Sequence, residues 1–361
     1  MPPLRRDVKA RHSFCPGRSG GSWKKKRIRA ERGVEKMDLF SWLQEAKPMS
    51  DSSNGLIYHY TSLEILELFL KFDGDFWCTQ FCSLNDRTEM TMGATVAAGY
   101  FKIHYGWTVE KCLWFRKLYE DFVFRNMAIM PWVFSFSRAR DSLYQWGMYT
   151  NRAKGGVAVG FDRRWLIDLI DRRPCQYSAA ANMTGTLCKY QLYDLRLLPC
   201  LYVRSDSEKI EELMALSFEG CENEISRLSE LAPGDRISDE DVLRVMSAIL
   251  NFSPIIKHES FIHEEEERLV LYPKTRNLVD VELKGGKPRW RSYISEAIKI
   301  HNDKGEFGKD QLREFRHLIK EIMISPHGDQ QSLLMNVGFL RIKAGIEKCL
   351  LSRSDSPYDG R

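Results

Sequence analysis

Short β-forming runs alternate along the chain with amphipathic stretches of helical spacing. Behind Gly55, residues 56–61 read as a short strand. In 62–72, Leu63, Leu66, Phe69 and Leu70 recur at helical spacing with Ser62 as a cap. "FWCTQF" (76–81) predicts a strand, and "SLNDRTEM" (83–90) a turn into a helix that reaches Phe101, with Asp86 and Glu89 in a capping arrangement. A further helix is expected over 108–127, a strand in "WVFSFS" (132–137) and a helix in "RARDSLYQWGMY" (138–149). "KGGVAVGFD" (154–162) joins a Gly-Gly turn to a strongly β-forming run, and "RRWLIDLI" (163–170) reads as a short helix.

Beyond that point "LLPCLYV" (197–203) contains a strand, and 207–258 is mainly helical, Ser238 and Asp241 opening its last long helix. "EERLVLYP" (266–273) and "NLVDVEL" (277–283) read as strands joined by a hairpin, and "RWRSYISEAI" (289–298) starts another. "EIMISP" (321–326) is a strand, "DQQSLLMNVGFL" (329–340) a helix and "KCLLSRS" (348–354) a final strand. Strands interspersed with helices predict an α+β class, with split mixed or antiparallel sheets and flanking helices. At 361 residues and 43% hydrophobic, the chain can bury a sizeable core.

Charge divides the chain. Residues 1–36 hold twelve Lys or Arg against Asp7, Glu31 and Glu35, a net of +9, so the remainder carries −4 of the overall +5. "GRSGGSWKKKRIRAERG" cannot bury enough surface to offset its ordering entropy, which predicts a disordered basic leader over 1–36. Trp23 beside Lys24, Lys25, Lys26 and Arg27 also makes that leader a candidate nucleic-acid arm. Residues 37–361 are expected to form one domain with a helical insertion at 205–258.

Several classes drop out. No run approaches the roughly 20 apolar residues of a membrane span, so no membrane partner is expected. The amino-terminal stretch lacks the apolar segment of a signal peptide. Nine scattered cysteines, an odd number, suggest reduced thiols and a cytoplasmic setting. Neither G-x-G-x-x-G after a strand nor G-x-x-x-x-G-K-[ST] occurs, and there is no G-x-S-x-G elbow. "HESFIH" (258–263) sets its histidines five apart, roughly 140° around a helix, off the shared face that H-E-x-x-H provides, so no metal site is expected.

Four polar segments flank the strands. They are Tyr58–Thr61; Ser83, Asn85, Asp86 and Glu89; Ser135, Ser137, Asp141, Gln145, Trp146 and Tyr149; and Glu264, Glu266 and Arg268. In an extended stretch Glu266, Arg268, Val270 and Tyr272 share one face, and Glu267, Leu269 and Leu271 the other. A carboxylate there is costly to bury unless paired, so the plain alternative is a Glu–Arg surface ladder ahead of a core strand. Taken singly, His59 also fits a core histidine and Trp146 with Tyr149 a core helix face.

Together, "LIYHYTSLEILELFL", "FCSLNDRTEM", "VFSFSRARDSLYQWGMYTNRAKGGVAVGFD", "IIKHESFIHEEEERLVLY", "EIMISPHG" and "LSRSDSPYDGR" resemble a bacterial domain-of-unknown-function family, family 2971, over 56–361. The chain departs from that pattern in "ISP", where Gly-Pro is usual, and in "SPYDGR". More distantly, the block order resembles the ADP-ribosyltransferase fold of the His-Tyr-Glu type, with His59-Tyr60-Thr61 as its H-x-T and "EEEERLVLY" as its glutamate strand.

That resemblance implies cleavage of the nicotinamide–ribose bond of NAD through an oxocarbenium-like transition state, with NAD as substrate and no further cofactor. Glu266 would be the stabilising carboxylate, with Glu264 or Glu267 as alternatives. His59 would hold the adenosine ribose, supported by Thr61, and Tyr144, Trp146 or Tyr149 would stack the nicotinamide. Tyr60, Asn85, Ser137 and Arg268 complete the expected binding set. The acceptor is protein, nucleic acid or water. Two other readings compete: a non-catalytic ligand-binding or interaction protein, and a nucleic-acid-directed defence or toxin component using the basic arm.

Overall fold

The fold is built around β3, a strand with three partners. In the computed structural model the described residues are 55–71, 76–171, 193–232, 235, 239–274, 281–284, 287–291 and 318–357. The chain divides into Met1–Met37 and Asp38–Arg361, and every described residue belongs to the second unit. The expected leader, with its nucleic-acid reading, lies outside the described residues.

In chain order, β1 (Leu56–Thr61) runs into α1 (Leu63–Lys71), and β2 (Trp77–Gln80) precedes α2 (Arg87–Tyr105) and α3 (Val109–Arg125). The Asp86 carboxylate caps α2 by accepting the Thr88 amide at 2.8 Å, and the Thr108 hydroxyl caps α3. β3 (Trp132–Ser137) leads to α4 (Leu143–Tyr149), then β4 (Val157–Asp162) and α5 (Arg163–Asp171). The helix expected from 138 starts only at Leu143, because Ser142 caps it and tertiary ion pairs of Arg138 and Arg140 draw the preceding segment out.

Next come β5 (Tyr193–Pro199), β6 (Leu201–Tyr202) and three helices, α6 (Ser207–Ser217), α7 (Glu222–Glu230) and α8 (Asp239–Phe252). β7 (Ile256–Lys257), β8 (Glu266–Pro273), β9 (Val281–Lys284), β10 (Lys287–Arg291), β11 (Ile319–Ile324), α9 (Gln330–Ala344) and β12 (Leu350–Arg353) complete the order. The class is therefore mixed α+β.

The main sheet runs β12-β11-β4-β1-β3-β2-β10-β9, with β8 on β3 and β5 on β8. β11 and β12 pair in parallel and the other pairs of this sheet are antiparallel, so the sheet is mixed. β8 covers one edge of β3 along its length, from Trp132↔Leu271 to Ser137↔Glu266. The other edge is shared: β1 touches it at Ser137, and β2 at Trp132 and Val133. Between those contacts β1 and β2 part, and the sheet splits.

The hairpin expected between β8 and β9 is absent among the described residues. β8 pairs with β3 and β5, and β9 pairs with β10. An apolar strand gains more from two neighbours and two covered faces than from a local turn.

Two larger cores flank the sheet. Ile57, Phe161, Leu269 and Leu271 belong to one, and Val270 joins α2, α3 and α6–α8 in the other. A third, small cluster packs Tyr58, Tyr60 and Trp146. Gly160 lies opposite Tyr58 in the β1–β4 register, and a Cβ there would come within 2.8 Å of the Tyr58 ring. Glycine at that point lets the Tyr58 hydroxyl reach Glu321 at 2.9 Å.

Candidate functional site

The entrance to β8 is fixed by its backbone. Glu265 adopts φ 44°, ψ 47°, and is the one non-glycine residue with positive φ among those described. The Glu264 carbonyl accepts from Ser137 Oγ at 2.7 Å and Gln145 Nε2 at 2.9 Å. The Glu265 carbonyl accepts the Arg138 amide at 2.9 Å, and the Glu266 amide donates to the Tyr202 hydroxyl at 3.0 Å. These bonds hold a left-handed residue between two buried glutamates and bring both carboxylates into one cluster.

Lys257, on β7, is the centre of that cluster. Its ammonium contacts Glu264 Oε2 and Glu266 Oε2 directly and lies 3.3 Å from Glu89 Oε1. Arg268 Nε meets Glu266 Oε1 at 2.7 Å, and its Nη2 meets Glu89 Oε2 at 2.7 Å. The surface ladder is thus ruled out, since Glu264, Glu266 and Arg268 are all buried. Glu89, expected as a capping partner, instead leaves the helix end to pair with Arg268 and Lys257.

Three carboxylates face two cations, so one negative charge is in excess. Charges taken from water are tolerated only when paired, and an excess charge raises the proton affinity of one acid. Burial raises Glu264, and the neighbouring Glu266 raises it further against the pull of Lys257. Burial also acts upward on Glu266, but Arg268 and Lys257 outweigh it and hold this carboxyl well below the usual range. Tyr149 donates to Glu264 Oε1 at 2.8 Å, and burial together with Glu264 keeps its phenol protonated.

This cluster opens onto a cavity of about 1090 Å³, at the upper end of small-molecule pockets. His59 and Thr61 come from β1, and the cavity also meets Phe134 and Ser135 of β3, where β1 and β2 part. His59 Nδ1 sits 2.9 Å from the Ser135 carbonyl. A carbonyl only accepts, so Nδ1 carries the hydrogen and Nε2 is left as an acceptor. Enclosure by protein pushes this imidazole down to about 4, against the Ser135 bond that favours its charge. It is neutral at pH 7, with its ring 4.3 Å from that of Phe134.

Of the residues singled out in the sequence, His59, Thr61, Asn85 and Tyr149 line this cavity, as do Glu264, Glu266 and Arg268. Ser137 does not. It is buried and positions Glu264 through its carbonyl. Tyr60 is corrected by strand alternation: it points to the face opposite His59, and its hydroxyl donates to the Ala139 carbonyl at 2.8 Å. Trp146 is fully buried against Tyr60, ring centroids 4.7 Å apart, and its indole donates to Asp141 at 2.7 Å. Tyr144 lies near His263 and outside the cavity lining. Glu267 faces the other side of β8, held by Arg163 at 2.7 Å and Arg138 at 3.2 Å.

Sequence reasoning assigned no role to Lys257, Lys287 or Arg289, all three of which line the cavity. Lys257 stands in "KHESFIHEEEER", where a lone lysine ahead of a glutamate run is a readable signal for a buried counter-ion. Lys287 and Arg289 arrive through the β10–β2 pairing, which nothing local announces.

Among the described residues no group of three His, Cys, Asp or Glu side chains is arranged for a metal ion, and no helix is long and apolar enough to cross a membrane. The described cysteines are free thiols. Compared with protein-family models, curated proteins and solved structures, the chain matches none.

Proposed function

We propose that the cavity binds NAD or a closely related nucleotide and that the chain cleaves its nicotinamide–ribose bond within an ADP-ribosyltransferase-like fold. The observation that carries this reading is the Glu264–Glu266 pair: two carboxylates on one cavity wall, with proton affinities pushed in opposite directions. Such a divergence is how one site supplies both a fixed negative charge and a proton acceptor. The split beside β3, with His59 and Thr61 reaching the same cavity, supports it further.

In the reaction the C1′–nitrogen bond breaks and its electron pair leaves with nicotinamide. Positive charge develops on the ribose, and Glu266, which stays ionised, stabilises it. Water or an acceptor hydroxyl then bonds to C1′, and Glu264, the more basic of the two, takes its proton. The neutral His59 offers Nε2 as a hydrogen-bond acceptor to a ribose hydroxyl.

The test is nicotinamide release from NAD by the purified chain. Wild type releases it, and Glu266→Gln does not while still binding NAD. Failure to release nicotinamide, with no NAD-induced rise in melting temperature, overturns the reading. A second reading, non-catalytic binding, draws on one observation: both Glu266 oxygens are already engaged by Lys257 and Arg268. It predicts an NAD-induced rise without any release.

A further inference from the structure

We infer that Arg289 and Lys287 form a phosphate-binding wall of the cavity, which selects a ligand carrying phosphoryl groups. This deepens the proposed function and rests on it only for the identity of the ligand. The strand register places the wall. β10 runs antiparallel to β2 with Arg289 opposite Thr79 and Trp290 opposite Cys78. Alternation then puts Lys287 and Arg289 on one face, with Thr79, and Trp290 on the other. Trp290 is 1% exposed and packs edge-on to Trp132 at 5.5 Å, which anchors the strand and turns the two cations toward the cavity.

Both cations have neutral partners. Arg289 Nη1 donates to the Thr79 hydroxyl, and Lys287 Nζ donates to Asn85 Oδ1 at 2.5 Å. The acids of the lining are committed elsewhere. Glu89, Glu264 and Glu266 pair with Lys257 and Arg268, and the Asp86 oxygens take the Thr88 amide and hydroxyl. Among the carboxylates that line the cavity, none forms an ion pair with Arg289 or Lys287.

Arg289 is half-buried, and its burial disfavours the charged guanidinium. A desolvated cation is costly to bury, and an incoming anion offsets that cost. A planar fork beside an ammonium, a hydroxyl and an amide suits phosphate oxygens, which accept several charge-assisted bonds at once. Arg289 also acts on His59, lowering its proton affinity, so the wall adjoins the imidazole proposed to hold a ribose. A phosphate next to a ribose is the arrangement of a nucleotide.

The experiment is calorimetric titration of the full chain with inorganic pyrophosphate, ADP-ribose and adenosine. Wild type is expected to bind all three, adenosine the most weakly. Arg289→Gln should weaken the first two by about 10- to 100-fold and leave adenosine unchanged, and Arg289→Lys should recover part of the loss. Undiminished affinity of folded Arg289→Gln for pyrophosphate and ADP-ribose overturns the wall, as does an equal loss for adenosine. If Arg289→Gln does not fold, Lys287→Gln is decisive: weaker ADP-ribose binding supports the wall, and unchanged binding overturns it. A chain that releases no nicotinamide yet loses pyrophosphate in Arg289→Gln keeps the wall and loses the reaction. One that releases nicotinamide with an unchanged KM for NAD in Arg289→Gln keeps the reaction and loses the wall.

Discussion

Glu266 and Glu267 are adjacent, both buried and both bound to arginine, yet they sit in different worlds. On one face of β8, Glu266 shares Lys257 and Arg268 with Glu89 and Glu264, and the group opens onto the cavity. On the other face Glu267 pairs with Arg138 and Arg163, tying β8 to the loop after β3 and to the start of α5. The first cluster sets three acids against two cations and meets the cavity, whereas Glu267 faces away from it. Burial of an ion pair therefore does not mark a site by itself. Surplus carboxylate and access to a cavity do, because only that combination leaves a group able to exchange a proton or meet a ligand.

The largest expected effect comes from removing the shared counter-ion. Lys257→Met leaves three carboxylates around an apolar side chain and should cost about 3–5 kcal/mol of stability, read by urea denaturation. The loss should shrink as pH falls, because protonating the acids removes their repulsion. Glu267→Gln removes the carboxylate that Arg138 and Arg163 share and should cost about 3 kcal/mol, while nicotinamide release per folded molecule persists. Glu266→Gln should do the reverse, losing release and keeping most stability. Equal behaviour of the two variants would dissolve the contrast.

A smaller effect concerns His59. The folded imidazole stays neutral down to about 4, whereas an unfolded one takes a proton near 6.5. Its contribution to stability is therefore complete above 6.5 and is lost as pH falls toward 4. The step is about 2 kcal/mol, discounted for the partial exposure of the ring. Melting curves against pH should show it in wild type and not in His59→Gln. The smallest effect is a gain. Glu265→Gly relieves a left-handed backbone and should add about 0.5–1 kcal/mol, measurable as a higher urea midpoint, without moving the Glu264–Glu266 cluster.

Legibility followed range. α1 was readable from its apolar spacing, the cap of α2 from Asp86, and the two faces of β8 from alternation, because each depends on neighbours a few residues away. Alternation also held the signal that Tyr60 must oppose His59, a signal masked by reading the aromatic triplet as one unit. The late start of α4 turns on Arg138 and Arg140 meeting Glu267 and Glu321, partners far along the chain. Lys257 was visible, but its role required knowing that Glu89, on a helix far earlier in sequence, packs against β8. The cations of β10 are legible least of all, since the pairing of Arg289 with Thr79 crosses 210 residues.

The Lys257 ammonium has a consequence for how the cavity responds to its solution. At physiological ionic strength dissolved ions screen charges over about 8 Å, but none can enter between an ammonium and carboxylates already in contact with it. Arg289 and Lys287, facing open volume, have no such protection. Raising the salt concentration should therefore loosen the grip on an anionic ligand while leaving the protonation of Glu264 and Glu266 as it was. One wall carries its own electrolyte, and the other borrows it from the medium.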